Sequence, residues 1–214
     1  MTLKYAIVED GPSASFPATD GFRHAAVSQP DAEVIVALGG ASARAPTLAA
    51  VLVELDNGFL ADDIGLGADA DTANVLGFCR YRVADDDLSQ LIELARAPHT
   101  TEAAVDAARS VFEAAGFQVA LCADQPGRII DRLVRPKYNA ALRLLDEGLA
   151  SREDMDLTCR MGLGYPEGPL ERVFRGGLAR HHDITKALFD ASGAPGYAPP
   201  RAAIVASRAR GTSS

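Results

Sequence analysis

An α/β half followed by an all-helical half is the fold class this sequence predicts. Two observations carry it. Up to Asp124, short Val/Ile-rich apolar runs alternate with helix-like stretches, the pattern of an open, largely parallel sheet. After Pro126-Gly127 the apolar period turns helical and stays so. The expected domains are therefore residues 1–123 and 124–214.

The elements follow in order. Lys4–Asp10 reads as a strand, and the Gly/Pro/Ser/Ala-rich stretch Gly11–Pro30 as a loop. Ala32–Leu38 is a continuous apolar run of the kind a buried parallel strand shows. Pro46–Leu55 reads as a helix closed by the turn signal Asp56-Asn57-Gly58. "GFLADDIG" (58–65) and Asn74–Val83 read as strands. Asp85–Arg96 fits either a strand or a short helix, with Asp85–Asp87 as a solvated loop or a helix start. Thr100 or Thr101 caps a helix that ends at Gly116, and Phe117–Asp124 is the next strand. From Arg128 to Leu149 an apolar stripe of Ile130, Leu133, Val134, Tyr138, Ala141 and Leu145 predicts one long helix, bent at Pro136. "SRED" (151–154) resembles a capping box for the next helix. "GLGYPEGP" (162–169) is a connector, and helices follow near Leu170–Leu178 and Asp183–Ala191. "GAPGYAPP" (193–200) precedes a last short helix, and Arg208–Ser214 reads as a frayed tail.

Composition excludes several functions. The 214 residues are 48% hydrophobic and 23% charged, which suits a globular chain of one domain or two small ones. The net charge of −8 and the lack of a basic block argue against nucleic acid. No apolar run is long enough to span a bilayer, and the N-terminus lacks the pattern of a signal peptide. Cys79, Cys122 and Cys159 are odd in number and widely spaced, so they make no disulfide framework and no zinc signature. The expected compartment is the cytoplasm.

Candidate chemistry is sparse. A dinucleotide site needs a glycine-rich turn after the first strand, opening a helix. Here Glu9-Asp10-Gly11 stands at that point, and the Gly39-Gly40 pair after a later strand is a weak signal. His181 and His182 are adjacent and point to different helix faces, which suits a surface step better than a metal; His24 and His99 lack partners at useful spacing. Cys79 sits near a strand end and reads as a small half-buried side chain or, less readily, as an active-site thiol. Arg128, Arg132, Arg135 and Arg143 lie near one face of the long helix, as a solvated face or a site for phosphate or an acidic partner. Asp131 lies in the first turns of that helix, where an acid suits the dipole, and Arg135 follows at i+4.

The motifs "DQPGRIIDRLVRPKYNAALRLLDEGLAS", "EDMD", "GLGYPEGPLE" and "GAPGYAPP" come in order over residues 124–200. They resemble the C-terminal domain of 3-hydroxyacyl-CoA dehydrogenases. "DAEVIVALGG", "NVLGFCRYRV", "LIELARAPHTTEAAVDAARSVFEAAGF" and "VALCAD" look, more weakly, like parts of that family's NAD domain. The resemblance implies a shortened Rossmann-like sheet followed by the family's helical domain, which forms its dimer interface.

It also implies a site. In the family a His takes the substrate's hydroxyl proton, a Glu orients that His, and an Asn hydrogen-bonds the reacting oxygen. The matching positions hold Cys79, Glu93 and Asp131. A thiol beside a carboxylate is a poor base near neutral pH. A carboxylate in place of an amide puts negative charge where an alkoxide forms. The glycine turn that would anchor NAD is replaced by acids. The expectation is therefore a non-catalytic relative with no cofactor, although the family uses NAD. It would pair with itself or with an active dehydrogenase paralogue in fatty-acid or aromatic-acid catabolism. Fusions of an active unit with a second, shortened one occur among such relatives. Two readings stay beside it: an acyl-CoA binding module using Arg128, Arg132 and Arg135, and an active NAD-dependent dehydrogenase.

Overall fold

A computed structural model describes residues 3–64, 70–82 and 88–211. The expectations for Val83, Asp85–Asp87 and Thr212–Ser214 lie outside those residues. The chain divides into two compact units between Arg128 and Ile129.

The first unit is built on a six-stranded sheet with strand order β1-β2-β3-β4-β5-β6. The strands are β1 (Tyr5–Glu9), β2 (Val34–Leu38), β3 (Ala50–Glu54), β4 (Val75–Arg82), β5 (Leu88–Arg96) and β6 (Gln118–Ala123). The first four run parallel, each to the one before, and β5 and β6 are parallel to each other. Their side chains alternate between two cores. Val34, Val36, Ala50, Leu52, Leu76 and Phe78 share one face with helices α1 (Gly21–His24) and α3 (Glu102–Ala114). Ile35, Ala37, Val51, Val53 and Val75 share the other with α2 (Leu60–Ile64) and the segment 41–48.

Three expectations for this unit are corrected. The stretch Gly11–Pro30 is not all loop, because Asp20 caps the short α1 by accepting from Phe22 N. Residues 46–55 do not form a helix, because β3 runs through them. Ala50–Val53 are all at most 3% exposed, so the strand is covered on both faces and reads as a continuous apolar run with no period of its own. "GFLADDIG" is not a strand. Leu60 and Ile64, at i and i+4, bury one side of α2, and the Asp124 carboxylate accepts from Leu60 N (2.7 Å) and Ala61 N (3.0 Å) at its start. The ambiguous stretch after Asp87 is strand β5. Thr101 caps α3 by accepting from Ala104 N, and Gly116 takes a φ of 90° just beyond it.

The second unit contains α4 (Ile130–Asp146), α5 (Arg152–Leu163), α6 (Pro169–Arg175), α7 (Leu178–Ser192) and α8 (Arg201–Gly211). Its core gathers Tyr138, Ala141, Leu142, Leu170 and Val173. The long helix starts later than expected, because Arg128 has a φ of 46° and cannot be helical. The last helix is longer than expected and carries Arg208 and Arg210 rather than fraying there.

The capping signal holds. Ser151 accepts from Asp154 N at 3.1 Å. Pro169, read from the sequence as the end of the connector, is the first residue of α6. Asp156 fastens α5 to α6: its buried carboxylate accepts from Leu170 N (2.9 Å) and Glu171 N (2.8 Å). Gly168 is required there, since a Cβ at that position would overlap Asp156. Asp156→Ala orphans two donors at a helix start. It should cost about 2 kcal/mol, read as a lower urea midpoint with an unchanged slope.

Candidate active site

Cys79 lies on β4 and is half-buried, and Glu93 on β5 is 3% exposed. Both act electrostatically on Cys122 of β6. Burial pushes the Cys122 thiol up to about 11, with Glu93, Asp124 and Cys79 adding to the effect and Arg128 opposing it. The sheet thus gathers Cys79, Glu93, Cys122 and Arg128 in one neighbourhood. It holds a carboxylate and two thiols, and none of the four supplies an imidazole.

Arg128 belongs to the first unit and is 4% exposed. Its Nη2 donates to Asp56 O at 2.7 Å, while Nε and Nη1 have no hydrogen-bond partner among the described residues. The other arginines lie in the second unit and are all engaged within it. Arg132 lies 5.9 Å over the Tyr197 ring, Arg135 pairs with Asp131, and Arg143 donates to Ala198 O. The four arginines form no common helix face.

Asp131 is held by Arg135, with Nε and Nη2 both 2.7 Å from Oδ1. The pair opens a buried network that the residue pattern missed. Arg135 Nη1 lies 3.0 Å from His181 Nδ1, and His181 Nε2 lies 2.8 Å from Asn139 Oδ1. A guanidinium only donates, so Nδ1 accepts and the ring proton sits on Nε2. Asn139 Nδ2 donates to Thr185 Oγ1 and Gly196 O, and Thr185 donates to Tyr197 O, each at 2.8 Å. His181 is 1% exposed, which corrects the surface reading. Burial first, then Arg135 and His182, push its pKa down to about 3.

At the C-terminal ends of β1, β2 and β3, the loop after β1 runs on to Asp20 before the four-residue α1 begins. It drives Phe16, fully buried, into the aromatic core and is tied by Arg80 Nη1 to Asp20 Oδ2 at 2.7 Å. A cavity of about 510 Å³ opens beside it, lined by Gly39, Gly40, Glu54, Asp56, Asp62 and Asp63 among others. Its charged groups are all acidic. Among the described residues no cluster of His, Cys, Asp or Glu could hold a metal, and no helix is long and apolar enough to cross a membrane.

Residues 127–209 match the family model described as the 3-hydroxyacyl-CoA dehydrogenase C-terminal domain. The helical part of the chain is thus similar to the C-terminal domain of 3-hydroxyacyl-CoA dehydrogenases. The sequence is 35% identical over 103 residues to the mitochondrial hydroxyacyl-coenzyme A dehydrogenase of Sus scrofa, a match covering 48% of this chain and 32% of the relative. It is 36% identical over 113 residues to a 3-hydroxybutyryl-CoA dehydrogenase of Mycobacterium tuberculosis, covering 51% and 39%. The matched segment therefore spans about a third of those relatives. The fold is similar to the crystal structure of (S)-3-hydroxybutyryl-CoA dehydrogenase from Ralstonia eutropha. That likeness has a TM-score of 0.72 at 18% identity and covers 83% of this chain and 66% of the other.

The family's NAD does not fit the residues present. A doubly wound sheet binds its dinucleotide in the crevice where the strand order reverses. Here the order never reverses, since each described strand lies beside its predecessor. The loop after β1 packs a phenylalanine inward where a phosphate turn and helix would be needed, and the adjoining cavity would repel a pyrophosphate. The sequence alone pointed to the missing glycine turn. The acid at Glu54 and the strand order needed the structure.

Proposed function

We propose that this chain is a non-catalytic relative of the 3-hydroxyacyl-CoA dehydrogenases, acting as a dimerising or accessory subunit in acyl-CoA catabolism. One observation carries the reading: the position that matches the family's basic imidazole holds Cys79, on β4, while the position that matches its carboxylate partner holds the buried Glu93 on the neighbouring strand β5. Without that base, removal of the hydroxyl proton has no agent. The engagement of Asp131 by Arg135 supports it, because a carboxylate spent on an ion pair offers no donor to a reacting oxygen.

The helical unit supports the dimerising part. It carries exposed apolar side chains, with Leu133 71%, Leu149 66%, Met161 80% and Leu163 63% exposed. Isolated exposed leucines are ordinary, whereas several on one small helical unit suit an interface.

Two measurements test the proposal. NADH oxidation with acetoacetyl-CoA should be indistinguishable from the blank. Light scattering should give a dimer, or a pull-down should capture a full-length dehydrogenase paralogue. Steady turnover that Glu93→Gln abolishes would establish the active enzyme instead, and a monomer that captures no dehydrogenase would remove the subunit role.

A further inference from the structure

Two loops, after β1 and after β2, converge on one carboxylate at the end of β3. Glu54, the last residue of β3, accepts at Oε1 from Ser13 Oγ (2.9 Å) and Ser15 N (2.6 Å). At Oε2 it accepts from Gly39 N (2.9 Å). Gly39 and Gly40 have φ values of 61° and 85°, and the Gly11 carbonyl stands where a Cβ on Gly39 would be. Only glycine permits that approach of the two loops. The backbone N–H groups of Ser15 and Gly39 and the Ser13 hydroxyl, all aimed at one anion, form the kind of concavity that binds phosphate and carboxylate groups.

We infer that Glu54 is a tethered internal ligand: its carboxylate fills an oxyanion site at the end of the sheet, and that site takes a free carboxylate or phosphate once the side chain is removed. The donors come from outside the strand that bears Glu54, so the site is built by the loops and not by the glutamate's own segment. Gly39, Gly40 and Glu54 also line the 510 Å³ cavity, which gives a small anion a way in once the Glu54 charge is gone; the remaining Asp56, Asp62 and Asp63 weaken its binding to the millimolar range. In the native chain the tether holds its carboxylate at a high effective concentration, and a dissolved anion at millimolar levels does not displace it. The inference concerns binding at this sheet end and stands whether or not the chain dimerises or turns over a thioester.

The test is chemical rescue of Glu54→Ala, followed by thermal unfolding in formate, acetate and phosphate against chloride at equal ionic strength. The variant should melt roughly 5 °C or more below the native protein in chloride. Formate, acetate or phosphate should restore the loss with a saturating, millimolar dependence. The native protein should respond no more than to chloride. Glu54→Gln keeps the pocket filled with an amide that accepts less well, so it should be destabilised and insensitive to anions. If Glu54→Ala does not fold in chloride, refolding is attempted in each anion, and recovery of the native circular dichroism supports the site. A variant that melts like the native protein would overturn the inference. So would a variant that ignores all three anions, fails to refold in any of them, or is matched by an equal response in Glu54→Gln.

Discussion

Lowering the pH from about 6.5 to about 5 should cost the protein roughly 2 kcal/mol of stability, with His181 as the cause. The folded state holds this imidazole neutral, its pKa pushed down to about 3 by burial, Arg135 and His182. The unfolded chain protonates it near its ordinary value of about 6.5. Below that value the unfolded state binds a proton that the native state refuses. Stability therefore falls as pH falls, by up to about 1.4 kcal/mol per unit, and the loss levels off only near the folded pKa. Above about 6.5 both states are neutral and the contribution is complete.

The network explains why the native state does not yield. Protonating Nδ1 would set an N–H against the Arg135 guanidinium, and Nε2 already gives its proton to Asn139. Urea midpoints measured between pH 7 and pH 4.5 read the slope directly. His181→Gln should flatten most of it, although the variant is less stable at neutral pH. A native protein whose midpoint is level across that range would show that His181 titrates normally.

Phe16→Ala should cost about 3–5 kcal/mol, the largest loss expected from a residue outside a regular element. Phe16 is fully buried, with its ring centroid 4.2 Å from Phe22, 5.6 Å from Phe117, 5.9 Å from Phe78 and 6.3 Å from Phe112. Removing it empties the centre of an aromatic cluster that joins the β1 loop, β4 and α3. It also loosens Ser13 and Ser15, which flank it and donate to Glu54. The chain has no tryptophan, so far-ultraviolet circular dichroism in urea is the suitable probe. A loss under about 1 kcal/mol would mean that the loop lies on the core without belonging to it.

The helical unit was the most legible part of the sequence, because its signals are local. Ser151 marks a helix start through a contact within a few residues, the turn-rich 162–169 separates two helices, and the stripe through Val134, Tyr138, Ala141 and Leu145 has one period, with Leu133 turned outward at 71% exposed. The α/β half was harder where distant residues decide. β3 is buried on both faces, so its apolar run carries no alternation to separate strand from helix. The start of α2 is set by Asp124, some 60 residues further along the chain. His181 looked exposed because its neighbour is another histidine, and only the packing of α7 on α4 decides which of the two faces inward. Cys79, Glu93 and Asp131 stood out by resemblance. Glu54 could not, since its partners Ser13, Ser15 and Gly39 lie in segments that only the sheet brings together.

The sequential strand order bears on how the protein is made. In a sheet whose order reverses, the first strand must wait for a later one to cover its second side. Here β2 finds β1 already synthesised, β3 finds β2, and so on to β6, and each new strand adds to the growing edge of what came before. Pairing partners are thus always the nearest already made, which shortens the separation of paired strands relative to a reversed order and lets the sheet assemble in the direction of translation. The Glu54 carboxylate joins that sequence early: Ser13, Ser15 and Gly39 have all emerged when it does, so the end of the sheet can close before β4 is complete.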